Sequence, residues 1–293
     1  MTEGRHQWRD ADVLEQPAWT TLPDWRARTL LMGVLNVTPD SFSDGGLTCT
    51  PEAAADRAEA LMTEGADVID VGGESTRPGA APVSAETELG RLLPAIRAIR
   101  RRLPRAPISV DTYRPETATA CVEAGADMVN DVEGGRFGAG PDGSPMGAAC
   151  ARLRCPLILM HRRKEPDYAD FWQELLADLR DSVRRVEHEG VRREQIWTDP
   201  GFGFGKTPAQ NLLLVRDLSK VAALGHPVLL GTSRKSTLGL VLGRESPADR
   251  HEGNAATAVW GVAQGCSMVR VHDVSRLRPY LRTADALRAG RLP

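Results

Sequence analysis

The chain has 293 residues, of which 41% are hydrophobic, 26% charged and 5% aromatic. This length and apolar content suffice for a large core and exclude a chain that is disordered throughout. The 37 Lys and Arg nearly balance the 39 Asp and Glu, and the formal net charge of -2 favours neither a nucleic-acid partner nor a membrane surface. The apolar runs are too short to cross a bilayer, and the polar amino terminus lacks a signal-peptide core, so we expect a cytoplasmic protein.

Along the chain, short apolar runs alternate with longer amphipathic stretches. Near-continuous apolar runs are typical of parallel strands that are covered on both faces. The predicted strands span 30–35, 67–72, 107–111, 127–131, 156–161, 196–200, 227–231 and 267–272. Helical patterns lie between them, as in 88–103, where Leu and Ile recur at spacings of three and four. This alternation favours an α/β fold, the (β/α)₈ TIM barrel, and a doubly wound parallel sheet is the alternative.

The sequence predicts a simple domain organisation. Residues 1–28 show no clear periodicity and are interpreted as a short amino-terminal extension. No internal repeat or long linker divides the remainder, so residues 29–293 are predicted to form a single barrel domain.

Polar residues follow nearly every predicted strand. They are Asn36, 72–77, Asp111, 130–131, His161, Asp199, 233–235 and 270–272. In a barrel, the carboxyl ends of the strands meet at one face, where the βα loops build the active site. One polar strand end is usually just a helix cap, but so many together predict a functional site at this face.

The first two polar segments suit cations and phosphates. Asn36 begins the loop NVTPDSFSDGG, and its amide oxygen suits a hard cation, with a turn held by Asx-type hydrogen bonds as the alternative. The segment GGESTRPGA contains two hydroxyls and Arg77, whose planar guanidinium matches phosphate oxygens. A solvated loop with a helix cap is the alternative for this second segment.

Two acids and an amide end three further strands. Asp111, Asn130 and Asp199 would be buried inside a barrel and would therefore need hydrogen-bonding partners. A planar heterocycle with adjacent N–H and amino groups supplies paired donors for carboxylates. The set favours an aminopyrimidinone ring over a sugar, although Asp199 alone, before Pro200, would be better explained as a turn residue.

The glycine-rich segment GFGFGKT, residues 201–207, is not a phosphate-binding P-loop. That motif requires a glycine five positions before Gly205, and the residue there is Pro200. We therefore exclude a nucleoside triphosphatase.

The basic segment SRKS follows the seventh predicted strand, and RVHD ends the eighth, at the strands where barrels often hold phosphate. Arg270 and His272 alternate with Val271 and should project to the same side, with a surface ion pair to Asp273 as the alternative. Lys235 could form a Schiff base, but that lysine normally lies within an apolar strand rather than on a polar loop.

In chain order, the segments LMGVLNVTPDSFSDGG, DVGGESTRPGA, SVDTYRPE, MVNDV, LMH, DPGFGFGK, GTSRKS and RVHDV resemble the dihydropteroate synthase family, from about residue 29 to about residue 283. The resemblance implies a (β/α)₈ barrel that forms a homodimer and uses Mg²⁺. The implied reaction joins 6-hydroxymethyl-7,8-dihydropterin pyrophosphate to 4-aminobenzoate, giving 7,8-dihydropteroate and pyrophosphate in folate biosynthesis. Sulfonamides would compete with the 4-aminobenzoate.

The resemblance also implies roles for residues of this sequence. The pterin would be bound by Asp111, Asn130, Asp199, Met160, Phe204 and Lys235. The phosphates would be held by Thr76, Arg77, Arg270 and His272, and Asn36 would contact both Mg²⁺ and pyrophosphate. The aminobenzoate site would be shaped by Ser233, Pro78 and Phe42. The residues expected to act in catalysis are Asp44, Arg77, Lys235, Arg270 and His272.

The chemistry of this reaction favours an SN1-like path. Breaking the C–O bond moves negative charge onto pyrophosphate and positive charge onto the pterin methylene. The expected cations can stabilise the negative charge, and the pterin nitrogens and carboxylates can stabilise the positive charge. Two other functions remain open, a non-catalytic pterin-binding paralogue and a methyltetrahydrofolate-dependent methyltransferase. The phosphate and aminobenzoate residues argue against both, since neither function needs them.

Overall fold

The computed structural model describes residue 22 and residues 24–38, 50–74, 81–140 and 143–292. Within these residues, the strands are β1 (Leu30–Asn36), β2 (Val68–Gly72), β3 (Ile108–Asp111), β4 (Met128–Asp131), β5 (Leu157–Met160), β6 (Ile196–Asp199), β7 (Leu229–Leu230) and β8 (Met268–Val271). The helices are α1 (Pro51–Glu64), α2 (Ala85–Arg102), α3 (Pro115–Glu123), α4 (Pro145–Leu153), α5 (Phe171–His188), α6 (Pro208–Arg216), α7 (Ser219–Ala222), α8 (Ser236–Leu242), α9 (His251–Ala263) and α10 (Val274–Ala289).

The strands pair in parallel in the order β6-β5-β4-β3-β2-β1-β8-β7. The two ends of this order meet at a bridge between Thr198 and Val228, where the Thr198 N–H donates to the Pro227 carbonyl at 2.9 Å. The sheet therefore curves into a nearly closed barrel. This confirms the predicted (β/α)₈ fold and excludes the doubly wound sheet. Seven of the predicted strands contain the observed strand, and β1 extends one residue beyond its predicted range, to Asn36.

Local sequence explains where the helices begin and end. Thr50 accepts a hydrogen bond from the Ala53 N–H at the start of α1, and Gly65, at φ 103°, ends the helix in a left-handed conformation. Thr207 and Gln210 form a capping box at the start of α6. That cap fixes the helix directly after the glycine-rich segment 201–205.

Side chains alternate along each strand between the surrounding helices and the barrel interior. The outer side chains, such as Val71 and Val110, join the main hydrophobic core with the helices. The interior near the amino ends of the strands is a separate apolar cluster of Leu30, Met32, Val68, Met128, Ile158, Trp197, Leu229 and Met268. Polar residues occupy the interior toward the carboxyl ends, as expected from the sequence.

Trp25 covers the amino-terminal end of the barrel. Its ring lies 5.8 Å from the Trp197 ring, edge to face, and Leu22 packs against the same interior cluster. The division into an extension, 1–28, and a domain, 29–293, stays a prediction, and residues 1–21 lie outside the described residues. No helix in the described part of the chain is long and apolar enough to span a membrane.

Candidate active site

A cluster of charged and amide side chains fills the carboxyl-terminal end of the barrel. Its members are Asp70 from β2, Asp111 from β3, Asn130 from β4, Asp199 from β6 and Arg270 from β8. The three acids and the amide are all buried. Strand pairing places Asp111 beside Asn130, so residues that are far apart in the sequence meet in one layer of the barrel.

Arg270 is the centre of this cluster. Its Nε donates to Asp70 Oδ2 at 2.6 Å, and its Nη2 donates to Asp111 Oδ2 at 2.8 Å. Burial opposes the charge of Arg270, but the two carboxylates outweigh it and raise the pKa of the guanidinium. Because Arg270 turns inward, the alternative of a surface ion pair with Asp273 is wrong for this residue, and Asp273 instead accepts from Arg234 at 3.1 Å.

Asp70 is a member of the cluster that the sequence analysis missed. It is fully buried, and its Oδ2 also accepts from Asn130 Nδ2 at 3.2 Å. This contact sets the orientation of the Asn130 amide. The Asn130 Oδ1 can then accept a hydrogen bond from a ligand. The sequence feature by which Asp70 could have been found is an acid inside an otherwise apolar predicted strand. Such a carboxylate is costly to bury without partners, so it indicates a buried polar cluster.

Burial changes the acidity of the two predicted pterin-binding carboxylates. It raises the pKa of Asp111, against the lowering effect of Arg270. It also raises the pKa of Asp199 to about 6, although the Gly201 N–H donates to Asp199 Oδ1 at 2.7 Å. Carboxylates in this environment gain from additional N–H donors, which stabilise their charged form.

Lys235 and Phe204 enter the site from the loops after β7 and β6. The Lys235 Nζ lies 3.9 Å from the centroid of the Phe204 ring, within cation–π distance. Burial and the nearby Arg270 charge lower the pKa of Lys235 to about 8. At Gly203, φ is 83° and an added Cβ would lie 3.2 Å from Lys235 Cδ, so a glycine permits this close approach.

Ser233 and His272 form a hydrogen-bonded pair at the same end of the barrel. Ser233 Oγ lies 2.9 Å from His272 Nδ1 and accepts from the His272 backbone N–H at 3.3 Å. The contact orients the imidazole of His272. The structure thus joins a residue predicted for the aminobenzoate site to one predicted for phosphate.

Asn36 and Met160 complete the described part of the predicted site. Met160 is buried at the end of β5, beside Asp199 in the strand register. Asn36 ends β1, and its Oδ1 lies 3.3 Å from the position that a Cβ on Gly72 would take. Among the described residues, no three His, Cys, Asp or Glu side chains form a group that could hold a metal ion. A single amide oxygen from the described residues, that of Asn36, fits a cation that keeps water and substrate oxygens as ligands, as Mg²⁺ does.

Five predicted site residues lie outside the described residues: Phe42, Asp44, Thr76, Arg77 and Pro78. Their roles stay predictions. Glu74 is the last described residue before Thr76, Arg77 and Pro78. It accepts a hydrogen bond from Arg114 at 2.7 Å, and Arg114 also donates to the buried Glu88 at 2.9 Å. This ion-pair network, which the sequence patterns did not reveal, holds Glu74 in place.

Comparison with known proteins agrees with this architecture. The chain matches the family described as pterin binding enzyme over residues 32–272. A dihydropteroate synthase of Synechocystis sp. is 44% identical over 278 residues, covering 92% of this chain and 94% of the relative.

Two solved structures are similar over nearly the whole barrel. The Clostridium difficile dihydropteroate synthase, crystallised in the presence of pteroic acid, has a TM-score of 0.85 and 40% identity, covering 90% of this chain and 98% of its own. The Xanthomonas albilineans dihydropteroate synthase with 4-aminobenzoic acid has a TM-score of 0.83 and 42% identity, covering 89% of this chain and 94% of its own. Because sequence and structure agree over most of its length, the chain belongs to the pterin binding enzyme family and, within it, to the dihydropteroate synthases.

Proposed function

We propose that the chain joins the methylene carbon of 6-hydroxymethyl-7,8-dihydropterin pyrophosphate to the amino nitrogen of 4-aminobenzoate. The observation that carries the proposal is the cluster of buried Asp111, Asn130 and Asp199 around the partly buried Arg270 in a barrel of this family. Similar proteins have been solved with pteroic acid and with 4-aminobenzoic acid, which supports the same two substrate halves here.

The cluster suits the polar edge of a pterin. The ring presents an amino group and a neighbouring N–H, which are donors that Asp199 and Asp111 can accept. Asn130 would accept a third hydrogen bond at Oδ1, because Asp70 occupies its amide nitrogen. Met160 and Phe204 would cover the apolar faces of the ring, and the Lys235 amine would donate to a ring acceptor. Each substrate donor would then replace water with a fixed partner.

The basic residues suit the leaving group. Pyrophosphate gains negative charge as the C–O bond breaks, and groups placed to meet that charge lower the barrier. Arg270 and His272 would contact the phosphates from β8, with Thr76 and Arg77 contributing from the segment after β2. Ser233, by holding His272 Nδ1, would help to orient the imidazole.

We propose an SN1-like order of bond changes. The C–O bond breaks first, and its electron pair leaves with pyrophosphate. The pterin nitrogens share the resulting positive charge, and Asp44 would help to stabilise it. The neutral aniline nitrogen then attacks the methylene carbon and loses one proton to solvent, so no side chain is needed to activate it.

The order of these bond changes can be tested with aminobenzoate analogues of graded nucleophilicity under single-turnover conditions. The proposal expects a chemical rate that hardly changes along the series. A steep increase of the rate with nucleophilicity would instead indicate direct displacement.

Mg²⁺ is proposed as the cofactor, with Asn36 Oδ1 as its ligand from the described residues. When bound, it would offset the negative charge of the pyrophosphate. The support is the donor type at Asn36, which is a neutral oxygen suited to a hard cation. Isothermal titration of pyrophosphate with and without Mg²⁺ tests this, and Asn36→Leu should remove the Mg²⁺-dependent part of the affinity.

The aminobenzoate is proposed to bind beside the pterin methylene, in a site shaped by Ser233, Phe42 and Pro78. A sulfonamide should then compete with 4-aminobenzoate and leave pterin binding intact. Inhibition kinetics with each substrate varied in turn test this placement, and competition against the pterin substrate instead would contradict it.

We also propose that the protein is a cytoplasmic homodimer. Support comes from exposed apolar side chains on the neighbouring helices α6, α8 and α9, namely Leu212, Leu240, Val241 and Trp260. Large exposed apolar patches often mark protein interfaces. Light scattering should give twice the chain mass, and Val241→Glu should shift it toward the monomer. Cell fractionation tests the cytoplasmic location.

Turnover by the purified chain is the decisive test of the reaction. With both substrates and Mg²⁺, dihydropteroate and pyrophosphate should appear in equal amounts, and Arg270→Ala should abolish both. Tight pterin binding without either product would indicate a non-catalytic paralogue. Methyl transfer from a methyltetrahydrofolate would indicate a methyltransferase.

A further inference from the structure

A chain of buried and partly buried hydrogen bonds lies behind the proposed pterin site and has no part in the reaction described above. It runs from Asp178 on α5 to His161, which follows β5, and then to Lys206, which precedes α6. His161 Nε2 lies 3.1 Å from Asp178 Oδ2. Lys206 Nζ lies 3.0 Å from His161 Nδ1 and donates to the Phe204 carbonyl at 3.0 Å.

We propose that Lys206 is a positioning residue for the pterin ring, an inference that rests on the proposed function. Its amine links the end of β5 to the turn formed by residues 201–205, which we call the β6 turn. By holding the carbonyl of Phe204, this link sets the position of the Phe204 ring in the site. Lys206 does not touch the substrate in this account.

The direction of each hydrogen bond follows from the charges. Burial lowers the pKa of His161 to about 4, so the imidazole is neutral at pH 7. Burial opposes the charge of Asp178, but hydrogen bonds from His161 and Arg163 lower its pKa to about 2. The neutral ring therefore donates from Nε2 to the Asp178 carboxylate and accepts at Nδ1 from Lys206. Burial lowers the pKa of Lys206 to about 7, and both forms of the amine keep enough N–H groups for the two bonds.

The β6 turn packs tightly against residues 161–163, so a change in the Lys206 link would shift the turn. At Gly201, an added Cβ would lie 1.8 Å from the His161 carbonyl oxygen, and at Gly205 it would lie 2.2 Å from that of Arg163. The turn thus lies directly against residues 161–163. Lys206 adds a polar link to these backbone contacts at their centre.

The turn also carries the groups proposed to meet the pterin. The Gly201 N–H donates to Asp199 Oδ1 at 2.7 Å, and the Phe204 ring lies beneath the Lys235 amine. A shift of the turn would therefore move an acceptor, an aromatic face and an amine at the same time. Binding depends steeply on such placement, because each hydrogen bond needs a narrow range of distance and angle.

Stability alone gives little reason for a lysine here. Burying an amine is costly, and replacing a buried ionic network by apolar side chains of similar volume is often neutral or stabilising. Methionine resembles lysine in length and would pack in the same space. A purely structural role therefore expects Lys206→Met to change thermal stability alone, whereas a positioning role expects it to change pterin binding.

The test uses the full-length chain and four variants. Lys206→Met removes the amine, and His161→Leu breaks the same link from its other end. His161→Asn keeps an oxygen acceptor near the place of Nδ1 and serves as the conservative rescue. Lys220→Met, on the exposed surface of α7, is the matched control. Calorimetry with pteroic acid measures binding independently of turnover, and steady-state kinetics give KM for each substrate.

The proposal expects Lys206→Met and His161→Leu to weaken pteroic acid binding and raise KM for the pterin substrate about tenfold, as loss of a buried hydrogen bond suggests. The KM for 4-aminobenzoate and the Tm should change little, and His161→Asn should recover most of the affinity. Unchanged pterin binding, an equal loss for both substrates, or failure of both variants to fold overturns the inference. If the unaltered chain binds no pteroic acid, the proposed function fails instead.

Discussion

At the scale of single residues, Asp70 shows how one buried acid can organise a site. It accepts from Arg270 and from Asn130, so one carboxylate orients both a cation and an amide. Without a fixed partner, the amide of Asn130 and the guanidinium of Arg270 could each rotate, so the contact with Asp70 sets their orientation.

Asp70→Asn tests this arrangement. The amide occupies the same space but removes one of the two negative charges that balance Arg270, and its NH₂ group can face the Asn130 amide nitrogen. We expect kcat/KM for the pterin substrate to fall by about ten- to a hundredfold, as for loss of a charge-assisted hydrogen bond. Asp67→Asn, just before β2 and away from the site, is the control. Kinetics equal to those of the unaltered chain would contradict the role of Asp70.

The pH dependence of pterin capture follows from the buried carboxylates and from Lys235. The Asp199 carboxylate must be charged to accept pterin donors, and burial raises its pKa to about 6. The Lys235 amine donates best when protonated, and burial lowers its pKa to about 8. We expect kcat/KM for the pterin substrate to rise up to about pH 6, to level, and to fall above about pH 8. Because burial also raises the pKa of Asp111, Asp199→Asn should weaken the acidic limb without removing it, and an unchanged limb would contradict the assignment.

The same carboxyl group affects folding in the opposite direction. Because the pKa of Asp199 is higher in the folded than in the unfolded chain, the folded state binds more protons between about pH 4 and pH 6. Its contribution to the free energy of unfolding therefore falls as pH rises through this window. The site is thus most active where this acid stabilises the fold least.

At the scale of elements, the glycines of the β6 turn decide how closely two loops approach. Gly201 has φ 70°, and its added Cβ would meet the His161 carbonyl. Gly243, which ends α8, has φ 63° and has no atom within 4 Å of an added Cβ among the described residues. The two positions share a left-handed conformation but differ in their surroundings.

Alanine at these two positions separates conformational strain from steric overlap. Gly243→Ala should lower the free energy of unfolding by about 1 kcal/mol, the cost of a left-handed alanine. Gly201→Ala adds the overlap with His161 and should lower it by several times as much, with loss of pterin binding. Urea unfolding and calorimetry measure both effects. Equal destabilisation by the two variants would show that the contact with His161 is unimportant.

The repeated sequence pattern predicts the strands and the site residues at their ends, but it does not predict contacts between elements. Each apolar run that ends in a polar residue predicts both a strand and its contribution to the site, and the structure brings Asp111, Asn130 and Arg270 together in this way. Asp70 was hidden within an apolar strand. Lys206 and His161 depend on how two loops pack, and no local spacing encodes that contact.

At the scale of the whole molecule, the barrel separates stability from chemistry. Trp25 and Trp197 pack at the amino-terminal end, whereas the proposed substrate residues lie at the carboxyl-terminal end. Residues at the first end can change without moving the second, which is a general property of this fold.

Trp25→Ala tests that separation and also the predicted boundary between residues 28 and 29. Since Trp25 is partly exposed, we expect a loss of about 2 kcal/mol in the free energy of unfolding. The values of kcat and KM should remain unchanged at temperatures where the variant is folded. Altered kinetics at full folding would show that the two ends of the barrel are coupled.

The short strand β7 has a consequence for how the molecule opens. It spans only Leu229–Leu230, and the barrel closes beside it through the bridge between Thr198 and Val228. Asp199 lies on one side of this seam, and Ser233 and Lys235 lie on the other. Amide protons at the seam should exchange with solvent sooner than those between β1 and β2. A pterin that contacts residues on both sides would then stabilise the seam. Its binding would slow amide hydrogen exchange there, and this effect can be measured without any chemical turnover.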